Sequence, residues 1–114
     1  MHGNIDDELQ IVNGDPTKVA ATGWLDFKPG DPNMVEVWVG VGQGDKRNPG
    51  AVYGEGMVEV HRPAGPGTQA LWQCPARIEN GAGTYKTGAA DAGAVVIDAA
   101  VEPYPWGRQV KLKK

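Results

Sequence analysis

Residues 35–42, VEVWVGVG, alternate strictly: Val35, Val37, Val39 and Val41 fall on one side, Glu36, Trp38, Gly40 and Gly42 on the other. A period of two separates the faces of a β-strand and gives a helix no apolar stripe. Similar runs recur at 8–12, 18–27, 34–42, 51–61, 69–79, 83–89, 93–102 and 108–113. Between them stand NGDP (13–16), KPGDPN (28–33), QGDKRNPG (43–50), RPAGPG (62–67), NGAG (80–83) and EPYPWG (102–107). Each cluster combines residues that set φ for a turn or hydrogen-bond their own backbone. No segment keeps helical periodicity over ten residues. Glycine inside the 51–61 run predicts a bend at Gly54 or Gly56. One stretch, 88–101, reads alternatively as a short Ala-rich helix; Gly93 and the run Val95-Val96-Ile97 favour a strand there.

The chain has 114 residues, 17 of them Gly and 9 Pro, and 40% of it is hydrophobic, so a single domain spanning 1–114 with a real core is expected rather than disorder. Strand starts spaced by about ten residues predict an all-β fold, an antiparallel β-sandwich of seven or eight short strands. In architecture alone this resembles the immunoglobulin-like and fibronectin-like sandwiches. The Cys–Trp–Cys signature of antibody domains is missing, because Cys74 is the one cysteine.

Charge and composition exclude several chemistries. A net charge of −3 and a pI near 5.2 give no pull toward nucleic acid or anionic lipid. Asp6, Asp7 and Glu8 near the start, and Arg108, Lys111, Lys113 and Lys114 near the end, read as solvated ends. No apolar run approaches a membrane span, and residues 1–15 lack the pattern of a secretory signal, so no membrane insertion is expected and the compartment is left open. The chain contains no serine, which removes Ser-His-Asp and Ser-Lys catalysis.

The remaining candidates are weighed one by one. Cys74 shares a strand face with Trp72, Ala76 and Ile78, the setting of a small buried hydrophobe; a thiolate would need His61 or Arg77 beside it. His2, His61 and Cys74 stand at no zinc spacing, and the oxygen-rich DPN (31–33) and GDKRN (44–48) match no calcium loop, so neither metal nor cofactor is expected. GVGQG (40–44) lacks the spacing and following helix of a phosphate cradle. Glu36 and Glu59, on outward faces of neighbouring strands, are the one carboxylate pair that would suggest glycoside chemistry, and they read more simply as a solvated face.

Tryptophan is the anomaly: four, against one phenylalanine. Trp24 lies out of phase with Val19, Ala21, Leu25 and Phe27, and Trp38 out of phase with the valines. If their strands pair, Trp24 and Trp38 share an outer face with Thr22, Asp26 and Glu36. Rings flanked by carboxylates suit a protein partner or a stacked sugar. The leading expectation is therefore a non-catalytic structural or protein-interaction module, self-associating or part of a larger assembly such as a bacterial surface or viral particle. Its contact residues would be Trp24, Trp38, Glu36 and Asp26. The second expectation is a carbohydrate-binding module on the same residues. The third is a small enzyme using Cys74 or a carboxylate pair. The outer side of Trp38 is further expected to be covered, by a partner, a ligand or the chain's own YPWG segment.

Overall fold

A computed structural model describes residues 2–44, 51–64, 69–80, 83–98 and 101–114, with the side chains of 80, 98 and 101–104 excepted. Residues 45–48 of the GDKRN segment and parts of the turn clusters at 43–50, 62–67 and 80–83 lie outside the described residues. Eight strands run in chain order: β1 (His2–Ile5), β2 (Glu8–Ile11), β3 (Lys18–Asp26), β4 (Met34–Gln43), β5 (Val52–His61), β6 (Gln69–Asn80), β7 (Gly88–Asp98) and β8 (Val101–Lys113). The fold is all-β, with no helix among the described residues. The stretch weighed as an Ala-rich helix lies mainly in β7.

These strands form one sheet that closes on itself, and this corrects the expected two-sheet sandwich. The order is β1-β3-β2-β8-β7-β4-β5-β6, and β6 returns to pair with β3. The closing ladder is long, from Lys18↔Arg77 to Asp26↔Gln69. Seven strands complete the ring, while β1 lies on the same edge of β3 as β2, further along it. The expectation of purely antiparallel pairing is also corrected, since β2 and β8 run parallel, Glu8 against Lys111. Alternation is the same in a sandwich and in a small barrel, because each strand has one inner and one outer face in both.

The inner faces meet in a single core. Val35, Val37, Val39 and Val41 are buried there, with Leu25, Phe27, Cys74, Val96 and Leu112. At about 1.5–3 kcal/mol for each fully buried Val, Leu or Phe, this face supplies the main driving force. A narrow barrel must ration volume. Ala90, Ala92 and Ala94 line β7, and glycines stand where indoles cross. A Cβ on Gly23 would fall within the indole of Trp72, and one on Gly3 would lie 3.2 Å from Cη2 of Trp106.

Turn chemistry explains two connections. Gly14 and Gly30 have φ of +82° and +92°, which only glycine adopts without strain. In the second, the Lys28 amide donates to Asp31 Oδ2 at 2.6 Å, and Asp31 donates its amide to the Lys28 carbonyl at 3.0 Å. Arg62 clamps this turn by donating to the carbonyls of Lys28 and Asp31 at 3.0 and 2.6 Å.

Three further readings change. HGNI, not read as a strand, is β1. GTYKTGA (83–89) is mostly a non-strand approach to β7 that seats Tyr85, whose hydroxyl donates to the Val41 carbonyl at 2.8 Å. EPYPWG, read as a turn, belongs to β8. Its prolines are tolerated because the ladder between β8 and β2 involves only Lys111–Lys113, so the earlier half of β8 is hydrogen-bonded on one side alone. Pro75 pairs with Ala20 on β3, while on the other side of β6 the ladder with β5 shifts register at Tyr53/Gly54 and runs only to Glu55↔Arg77.

Candidate functional site

The period-two reading places all four candidate side chains outward, but the barrel separates them. Trp24 and Asp26 lie on β3, whose neighbours are β1, β2 and β6; Glu36 and Trp38 lie on β4, between β5 and β7. The supposed β3–β4 pairing does not form, so the four do not make one site. Trp24 is half-buried between Asn4 and Leu71, and the His2 ring meets it edge-on at 5.3 Å. Asp26 is engaged by His2 Nε2 at 3.3 Å, and Thr22 donates to Asp6 at 2.7 Å. Leu71, 82% exposed, is the neighbour that the sequence did not single out.

Trp38 occupies a different setting. It stands opposite Met57 on β5 and Val95 on β7, and the YPWG residues are part of β8, where Pro105 pairs with Val95, and do not form a lid. It is 44% exposed and Met57 47%. One row along, Glu55, Gly40, Gly93 and Gly107 are successive partners across β5, β4, β7 and β8. The next row is Tyr53, Gly42, Asp91 and Gln109. Gly40 and Gly42 of β4 and Gly93 of β7, positions without side chains, line a groove of about 1030 Å³ in the barrel wall, bordered by Trp38, Tyr53, Glu55 and Asp91. The Tyr53 ring leans over Gly40, where a Cβ would come within 3.0 Å of its Cζ. Its phenol is pushed above the ordinary tyrosine range, first by desolvation and then by the Glu55 carboxylate.

The face carrying this groove is acidic. Along the outer sides of β4, β5 and β7 stand Glu36, Glu55, Glu59 and Asp91, with His61 the one basic side chain among the described residues. Glu36 and Glu59 are directly opposite each other in the ladder. Tyr53, Glu55, Met57, Asp91 and Val95 were missed by the sequence reading; the outward phase of Gly40, Gly42 and Gly93 was the available signal, unreadable until β4 and β7 are known to be neighbours.

The chemistry around Cys74 is that of a packed thiol. Its accessibility is 0%, and desolvation raises its pKa, which disfavours the nucleophilic thiolate. His61 and Arg77 point from the outer faces of β5 and β6, while Cys74 points into the barrel. Among the described residues, no three His, Cys, Asp or Glu side chains gather as a metal site. No family model, curated protein or solved structure matches this chain.

Proposed function

We propose that this chain is a non-catalytic protein-interaction module, a contact subunit of a larger assembly, whose working surface is the outer face of β5, β4 and β7. The observation that carries this reading is the exposure of Trp38 beside Met57, at the border of a groove whose floor is backbone. The valine face supplies the core, so stability does not require an indole at this position, and an uncovered apolar cluster favours association. Rings in well-desolvated contacts are the usual anchors of protein interfaces.

Trp38→Ala tests it. Two cross-strand partners at about 0.2–1 kcal/mol each predict a stability loss of roughly 0.5–2 kcal/mol. Concentration-dependent association in sedimentation velocity should disappear in the variant. A loss of about 3 kcal/mol or more, the scale of core truncations, would mean that Trp38 is structural. Unchanged association, with native Trp38 fully quenched by iodide, would overturn the reading. The second reading, carbohydrate binding, is favoured by the placement of Trp38 and Tyr53 around the glycine floor; Trp38-dependent signals on a glycan array would select it.

A further inference from the structure

We infer that the outer face of β5, β4 and β7 takes an extended cationic segment of a partner protein, one with Lys or Arg two residues to either side of an apolar residue. This rests on the protein-interface reading and names the chemistry of the partner. Charge is the first support. Among the described residues, four carboxylates and no Lys or Arg project from the outer sides of these three strands; Arg77, opposite Glu55 on the adjoining β6, makes no ion pair with it. A polyanion is repelled here, and a cation is drawn in.

The second support is the opposition of Glu36 and Glu59 across the ladder. Like charges directly opposite destabilise a strand pair. The nearest relief is weak: His61 Nε2 lies 3.9 Å from Glu59 Oε2, with 70% and 57% of the two side chains exposed. A lysine ammonium between the two carboxylates satisfies both. A neutral glycan gains nothing from this arrangement.

Spacing is the third support. Glu59, Met57 and Glu55 are alternate residues of β5, and the carboxylates are about 13 Å apart along the strand at roughly 3.3 Å per residue. An extended segment has the same repeat. Lysine, any residue, an apolar residue, any residue and lysine, laid along β5, bring the first ammonium to Glu36 and Glu59. The apolar residue then meets Trp38 and Met57, and the second ammonium meets Glu55 over the glycine floor. The Trp38 ring accepts the lysine stems and offers a cation–π surface.

The test is a titration of the whole chain, followed by amide NMR shifts, with the capped pentapeptide KTVTK and with ETVTE as its charge-reversed counterpart. KTVTK should shift amides of β4, β5 and β7. Glu36→Gln with Glu59→Gln should weaken it at least about tenfold, as should raising NaCl from about 50 to about 500 mM. The substituted side chains point outward, and an unchanged circular dichroism spectrum verifies the fold. Equal binding of ETVTE, or binding of KTVTK that ignores both salt and the double substitution, overturns the proposal. If KTVTK does not bind while Trp38-dependent association persists, the cationic partner is overturned and the interface reading survives. If Trp38→Ala is silent in every association assay, both fall.

Discussion

Glycines on the two sides of the barrel wall should respond in opposite ways to a methyl group. At Gly93, on the groove floor, an added Cβ finds only the Trp106 carbonyl oxygen at 3.5 Å, an ordinary contact, and the backbone is not left-handed. Gly→Ala at such a position stabilises by about 0.4–1 kcal/mol, chiefly by restricting the unfolded chain. At Gly23, in the barrel interior, the same Cβ falls within the Trp72 indole and close to the Asn4 carbonyl oxygen. Neither a buried indole nor a paired backbone can move cheaply, so the overpacking cost is about 1–3 kcal/mol or more. The assay is equilibrium urea unfolding of Gly93→Ala, Gly23→Ala and the parent, read by the midpoint at constant slope. Gly93→Ala should unfold at higher urea and Gly23→Ala at lower. In the same samples Gly93→Ala should weaken any ligand of the groove, because the methyl group occupies its floor. A destabilised Gly93→Ala beside an unaffected Gly23→Ala would refute the assignment of inner and outer faces.

Other expectations follow from the same geometry. Cys74→Ala should cost roughly 1–2 kcal/mol while leaving association intact, and native Cys74 should resist iodoacetamide until unfolded; rapid alkylation of the folded protein would contradict its burial. Glu59→Gln should raise the thermal midpoint slightly at low ionic strength, by a few tenths of a kcal/mol, and the gain should vanish in high salt; a lower midpoint would show that Glu59 is not under repulsion from Glu36. The Glu8 carboxyl is held below its ordinary pKa, first by the hydrogen bond from Lys113 and then by that charge. Its contribution is therefore present above the unfolded-state carboxylate range and lost as pH falls through the depressed folded value. Parent and Glu8→Gln should differ at neutral pH and converge in acid, and parallel curves would exclude the linkage.

What the sequence disclosed was the phase of each strand; what it withheld was adjacency. Val35, Val37, Val39 and Val41 point inward, Glu36 and Trp38 outward, and Cys74 lies inside with Trp72 and Ala76, as alternation implies. Pairing depends on contacts between residues far apart in the chain, and alternation carries no record of them. Trp24 and Trp38 were therefore assigned to one face when β5 and β6 separate their strands. β1 escaped notice because its inward position 3 is a glycine, vacated for Trp106, which erases the apolar beat. Residues 83–89 mimicked a strand through Thr84, Tyr85 and Thr87, yet Tyr85 is fixed by its hydroxyl bond to Val41. The groove was hidden for the same reason as the closure: glycines on β4 and β7 become one floor only after the strands are laid side by side.

Joining β2 to β8 also sets the timing of folding. Glu8 meets Lys113 across 105 positions of chain, and Arg108 reaches the Ile5 carbonyl across 103. Loop closure of that span costs entropy before any contact repays it, so the ring is expected to shut late and slowly for a domain of this size. During synthesis, a nascent chain lacking β8 exposes the free sides of β2 and β7, two unpaired edges able to template addition of another strand. Residues 108–113 thus act as the latch of the barrel, and a ribosome that stalls before them leaves an aggregation-prone open sheet in place of a shorter version of the protein.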